Sequence, residues 1–187
     1  MPAPEITFLL LDGDQAARHA DEFAAVAAEV YADPPYGWGA DQAAEFARRL
    51  AVQARQPGFV LAEARHGGYL VGYAFGLPLR PATSWWRHLT TPLPDEMTTE
   101  YQGRTFALAD LAVRAAWRRQ GIATALYHLV MANRPEERAT LTVPPGAGPA
   151  QSAYQSWGWR KVARAHGHAP GSPVMDVLVL ALPASAE

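Results

Sequence analysis

The chain has 187 residues, is 49% hydrophobic, and balances 16 Lys and Arg against 18 Asp and Glu for a net charge of -2. That is enough apolar mass for one domain with a core, and it lacks the cationic surplus that nucleic-acid binding needs. The absence of cysteine excludes disulfides, Cys-zinc sites and thiol catalysis. No apolar run is long enough to span a bilayer and no basic region precedes the first apolar stretch, so the chain is expected to be cytoplasmic with no membrane partner.

Ile6 to Leu11 is apolar and stops at Asp12-Gly13-Asp14, which predicts a short strand and a turn, with Asp14 placed to cap the helix that follows. Phe23, Val26, Ala27 and Val30 fall on one helical stripe. The prolines of Asp33-Pro34-Pro35-Tyr36-Gly37-Trp38-Gly39 break that helix, because proline has no N–H to donate and restricts the residue before it. Asp41 is the expected N-cap of a second helix that buries Ala43, Phe46, Ala47, Leu50 and Ala54 and ends at Pro57-Gly58. Phe59–Arg65 and Tyr69–Leu77 are β-prone runs joined by His66-Gly67-Gly68, which predicts an antiparallel hairpin.

Residues 78–103 hold Trp85, Trp86, His88, Pro92 and Pro94 without a period and read as a long loop with at most one helical turn, a length typical of lids and binding loops. Thr105–Val113 predicts a central strand. Ile122, Leu126, Leu129 and Val130 mark another helix, stopped by Arg134-Pro135. Ala139–Val143 reads as a strand, residues 144–149 as a loop, Ala150–Trp157 as a short helix, and Gly158–Ala165 and Val174–Leu182 as closing strands before a frayed tail, Pro183–Glu187. This order predicts an α/β fold with a mixed, mostly antiparallel central sheet flanked by helices, in a single domain over residues 1–187.

The strand–loop–helix unit from Phe106 to Met131 sets Arg118-Arg119-Gln120-Gly121-Ile122-Ala123 at a helix start. Free N–H donors, a partial positive charge and small residues at positions 121 and 123 make an anion cradle there, with Arg118 and Arg119 adding charge at its mouth. A Walker A loop would need Lys-Ser/Thr after the last glycine, and a dinucleotide fingerprint would need three spaced glycines; both are missing. On residue chemistry alone, the hexapeptide also fits a plain helix start beneath two solvated arginines.

In context the segment is more specific. Leu111-Ala112-Val113, followed after four residues by Arg118-x-x-Gly121-x-Ala123, resembles the acetyl-CoA signature of the GNAT superfamily of N-acetyltransferases. Ala150-x-x-x-Tyr154-x-x-x-Gly158-Trp159 resembles that family's fourth helix. The resemblance implies the GNAT fold, acetyl-CoA as cofactor, and transfer of acetyl to a primary amine by direct attack in a ternary complex. It implies that backbone amides of Leu111 and Val113, around Ala112, bind the pantetheine arm. It also implies that backbone amides from Arg119 to Ala123 hold the pyrophosphate, within a cofactor-binding segment made of Arg118, Arg119, Gln120, Gly121, Ile122, Ala123 and Thr124. Tyr154 falls at the family's general acid, the alternative being a helix tyrosine packed on Trp157 or Trp159. Where the family often has Asn, seven residues before that Tyr, this chain has Ala147. A homodimer is expected only by analogy.

Asp110, on the fourth strand, is the first candidate for general base, since burial can raise a carboxyl into a useful range; a carboxylate turned to solvent or to an Arg is the alternative. Glu29 and Asp33 are weaker candidates, and His128 reads as partly exposed on its helix. His166-x-His168 lacks further ligands, so no metal is expected. Tyr31, Tyr36, Trp38, Trp85 and Trp86 are placed in the acceptor pocket, as walls of an apolar or cation-holding site or else as loop anchors. The expected acceptor is a small-molecule amine. Two alternatives stay open: a protein Lys or N-terminal acetyltransferase, which an open acidic groove would favour, and a non-catalytic acyl-CoA-binding sensor.

Overall fold

The computed structural model describes residues 5–167 and 173–183, so His168 and the last residues of the tail lie outside the described residues. The elements are β1 (Ile6–Leu11), α1 (Gly13–Arg18), α2 (Ala20–Val30), α3 (Ala40–Gln53), β2 (Val60–His66), β3 (Tyr69–Pro78), α4 (Asp95–Thr98) and β4 (Thr105–Val113), then a 3-10 turn (Ala115–Trp117), α5 (Ile122–Met131), β5 (Arg138–Val143), α6 (Gly148–Ser156), β6 (Arg160–His166) and β7 (Val174–Ala181). The strand order is β1-β2-β3-β4-β5-β7-β6. β1–β2, β2–β3, β5–β7 and β6–β7 pair antiparallel and β4–β5 pair parallel, which is the mixed, mostly antiparallel sheet that the element order predicts. Two compact units emerge, Met1–Leu77 with Leu108–Asn133, and Pro78–Ala107 with Arg134–Glu187, so β4 contributes residues to both. Among the described residues no helix is long and apolar enough to cross a membrane.

In the first unit, Asp12 rather than Asp14 caps α1. Its carboxylate accepts the Gln15 N–H at 2.8 Å while the Gln15 side chain accepts the Asp12 N–H at 2.9 Å. This reciprocal pair needs an amide or carboxylate three residues on, which Gln15 supplies and which favours the earlier start. Asp14 sits in the first turn, where its charge suits the helix dipole. The same logic moves the start of α3 from Asp41 to Gly39, whose N–H donates to the Gln42 side chain at 2.9 Å. Gly13 is required by a close approach: a Cβ there would lie 1.8 Å from the Ala54 carbonyl oxygen. In the β2–β3 hairpin, Gly67 and Gly68 both take positive φ (54° and 86°), the twist-matched two-residue turn that the Gly-Gly pair allows. Phe23 and Val26 of α2, Phe46 and Leu50 of α3, Leu61 of β2, Leu70, Tyr73 and Phe75 of β3 and Ala112 of β4 form one buried core.

In the second unit, Thr105–Ala107 pair with Arg138–Thr140. The segment before β4 holds one helical turn, α4, and also runs beside the outer edge of β6. There Leu89 bridges Ala165, Thr90 N–H donates to the Arg164 carbonyl at 2.8 Å, and His166 N–H donates to the His88 carbonyl at 2.9 Å. This covers part of an edge strand that would otherwise offer unpaired backbone groups. α6 starts two residues earlier than expected, because Pro149, read as loop, fits a helix's first turn, where its missing N–H costs nothing.

Candidate active site

Asp110 interrupts the apolar run of β4 and is only partly buried as a residue. Three donors hold its carboxylate. Oδ1 accepts the Tyr31 hydroxyl and the Leu111 N–H (2.9 Å), and Oδ2 accepts the Tyr73 hydroxyl at 2.8 Å. Tyr31 closes the C-terminus of α2 and Tyr73 lies within β3, so a helix end and a neighbouring strand clamp the group. Burial pushes the Asp110 carboxyl above its ordinary range; the hydroxyls of Tyr31 and Tyr73, the charge of Arg49 and the Leu111 N–H pull against it, and burial wins. Burial, with the Asp110 charge beside them, holds both tyrosine hydroxyls well above their ordinary range, so they remain donors at neutral pH.

The Tyr31 ring lies 4.5 Å from Tyr36 and 4.8 Å from Trp38, centroid to centroid. Tyr31 and Tyr73 are buried, whereas Tyr36 and Trp38 are half-buried and form the exposed end of the cluster. Of the weaker base candidates, Glu29 is half-exposed and ion-paired with Arg114. Asp33 is exposed, and its carbonyl accepts the N–H groups of Tyr36 and Gly37 at 3.2 Å. His128 is exposed on α5.

At the end of β4 the Arg114 N–H donates to the Val71 carbonyl at 2.9 Å. Strand alternation then turns the backbone groups of Val113 and Leu111 away from β3. The Leu111 N–H is engaged by Asp110 and its carbonyl lies 3.2 Å from the Tyr31 hydroxyl, while the Val113 carbonyl accepts Arg118 Nε at 3.0 Å. A ligand pairing with the Leu111 amide would therefore have to displace the Asp110 side chain. Ala112 is buried, its carbonyl oxygen only 2.8 Å from where a Gly72 Cβ would stand.

Beyond the 3-10 turn, Arg119 (φ 63°) and Gly121 (φ 79°) both take the left-handed conformation. That costs a non-glycine residue roughly 1 kcal/mol, strain of a kind that clusters at ligand sites. α5 then begins at Ile122 with no side-chain cap and no acidic residue in its first turn. Its first N–H groups are thus left for an anion, and a Cβ on Gly121 would meet nothing within 4 Å, so the surface above the turn is open. Arg118, Arg119, Gln120, Gly121 and Thr124 are exposed, Ala123 is half-buried, and Ile122 is buried as the anchor of the helix start. These are the features a pyrophosphate requires.

The second unit holds the remaining candidates. Tyr154 is buried on α6, its ring edge-on to Trp157 (5.8 Å) and Trp159 (6.0 Å). The Trp86 indole N–H donates to Glu100 Oε1 at 2.9 Å, and Arg138 lies over the Trp86 ring at 5.2 Å. Glu100 Oε1 also accepts from Thr105 (2.9 Å) and Arg138 (2.8 Å). Trp85 packs with Trp86 against Ala165 and Val177, so both indoles anchor the long segment to β6 and β7. The structure therefore gathers Tyr31, Tyr36 and Trp38 around Asp110, whereas Trp85 and Trp86 pack within the other unit. Sequence reasoning missed Tyr73. Its signal was a tyrosine inside an apolar strand, whose hydroxyl needs a buried partner.

The chain belongs to the GNAT acetyltransferase family: residues 23–159, more than half of it, match the family model described as Acetyltransferase (GNAT) family. No curated protein matches it by sequence. Among solved structures it is similar to the ribosomal-protein-S18-alanine N-acetyltransferase of Escherichia coli, at 15% identity and a TM-score of 0.63, with 98% of this chain and 97% of that one covered. It is also similar to the PaiA N-acetyltransferase of Thermoplasma acidophilum in complex with coenzyme A, at 12% identity and a TM-score of 0.62, covering 95% and 99%. A third similar structure is the aminoglycoside N-acetyltransferase AAC(6')-Iy in complex with CoA, at 12% identity and a TM-score of 0.60, covering 91% and 99%. At these identities the likeness shows the fold.

Proposed function

We propose that this protein is a cytoplasmic N-acetyltransferase that moves acetyl from acetyl-CoA to the primary amine of a small-molecule acceptor, with both bound at once and the whole chain acting as one domain. When bound, acetyl-CoA supplies a carbonyl activated as a thioester. The uncapped start of α5, the turn through Arg119 and Gly121, and the guanidinium groups of Arg118 and Arg119 are assigned to its pyrophosphate. The observation that carries the reading is Asp110, a carboxylate whose basicity burial raises and whose orientation two tyrosine hydroxyls fix.

Asp110 takes one proton from the acceptor ammonium, directly or through water. The freed nitrogen forms the C–N bond as the C–S bond breaks. The departing thiolate takes a proton from Tyr154, the assigned donor, and the second proton lost from nitrogen in forming the amide passes through solvent to restore the Tyr154 hydroxyl. Tyr36 and Trp38, at the exposed end of the cluster, are assigned to the acceptor. The test is CoA release from acetyl-CoA, followed with a thiol reagent across a panel of primary amines. Amine-dependent release is expected, with Asp110→Asn lowering kcat about 10²- to 10⁴-fold while acetyl-CoA binding persists. Absence of amine-dependent release would overturn the proposal.

A further inference from the structure

Arg49 lies on the exposed side of α3, and its guanidinium sits over the face of Phe46, 5.8 Å from the ring centroid. Phe46 packs in turn on Tyr73 and on Trp38, each at 6.0 Å, and Tyr73 donates to Asp110. A cation and a carboxylate thus stand on one aromatic cluster, joined through two rings of the same unit. The preceding Arg48 is matched by Glu45 at 2.8 Å, but Arg49 has no carboxylate partner among the described residues. Stacking on a ring steadies a guanidinium and leaves its N–H donors directed outward. Burial raises both the Asp110 carboxyl and the Tyr73 hydroxyl, and the charge of Arg49 pulls against that rise at each.

We infer that Arg49 receives an anionic group of the acceptor whose amine is presented to Asp110, so that the acceptor class is an amino carboxylate, of the amino-acid type, and not a polyamine or other polycation. The inference rests on the acetyltransferase reading and deepens it. An ammonium alone satisfies Asp110 but leaves the cluster's cation unmatched. A second ammonium would meet the field of the Arg49 guanidinium, and like charges brought together reject the wrong ligand. A carboxylate matches the planar fork of a guanidinium and makes two charge-assisted hydrogen bonds to it.

The experiment uses the full chain with acetyl-CoA and matched acceptors: amino acids of increasing chain length, their amides, the corresponding decarboxylated amines, and a polyamine. Wild type is compared with Arg49→Gln and Arg49→Lys. A kcat/KM at least tenfold higher for the carboxylated member of a pair is expected. Arg49→Gln is expected to bring that ratio toward one, mainly by raising KM for the carboxylated acceptor, and Arg49→Lys to retain part of the preference. Acetylation of amines with no preference for the carboxylate, or a preference that survives Arg49→Gln, would overturn the assignment and leave the acetyltransferase reading intact. No amine-dependent CoA release from any acceptor would overturn that reading, and this one with it.

Discussion

Asp110 has to do two things that conflict. A base needs a carboxyl raised toward neutral pH, yet it must be ionised to act. Burial supplies the first, and the hydroxyls of Tyr31 and Tyr73 limit the rise by stabilising the charged form. Tyr73→Phe removes one of those donors without emptying the core position. The Asp110 carboxyl should then rise further, and the acid limb of the kcat/KM profile against pH should move to higher pH; an unmoved limb would show that Asp110 is not the group being titrated. Asp110 was legible in the sequence because a lone acid in an apolar strand demands an explanation. Its clamp was not, because Tyr31, Tyr73 and Asp110 lie far apart in the chain, and only the packing of α2 and β3 beside β4 brings their oxygens together.

For single elements, the decisive piece is the turn from the end of β4 into α5. Its order was readable from Arg118-x-x-Gly121-x-Ala123, since a glycine before a helix start is a local signal. The left-handed backbone at Arg119 was not readable, because a side chain gives no local reason to adopt it. Arg119→Gly should relieve roughly 1 kcal/mol of strain and raise the melting temperature by a few degrees. The same change removes a guanidinium from the mouth of the anion cradle, so the KM for acetyl-CoA should rise several-fold. If both stability and KM stayed at wild-type values, the strain and the phosphate contact would both be disproved. Capping gives a parallel lesson: Asp14 and Asp41 are good caps by residue type, but Gln15 and Gln42 reach back to Asp12 and Gly39, and that reach sets where α1 and α3 begin.

Across the whole molecule, the carboxylates respond to pH in opposite directions. The hydrogen bond from Arg65 holds Glu22 below its ordinary range, and at Asp176 the hydrogen bonds from Lys161 and Arg164 outweigh burial, so the stability these two contribute is present at neutral pH and lost as pH falls through their lowered values. Asp110 is raised, so its contribution is greatest in acid and declines as pH rises through its shifted value. Asparagine at that position cannot ionise. The melting temperature of Asp110→Asn minus that of wild type should therefore increase as pH is taken from about 4 to about 8. A difference that stays flat over that interval would mean the Asp110 carboxyl is not raised in the folded protein.

The sequence by itself determined the order of the strands and of the longer helices, the mixed sheet, the hairpin at Gly67-Gly68 and the family, because each rests on neighbours within a few residues: period, turn glycines and a short motif at a helix start; it read α1 and α2 as one helix, which the structure breaks at His19. Only the tertiary structure decided which side chains share a site. It joined Tyr31, Tyr36 and Trp38 to Asp110, added Tyr73 and Arg49, tied Glu29 to Arg114, and set Trp85 and Trp86 against β6 and β7. Hydrophobic periodicity reports that a residue is buried but not against what. The partner of a buried polar atom is fixed by strand register and helix packing, interactions between segments that local sequence does not encode.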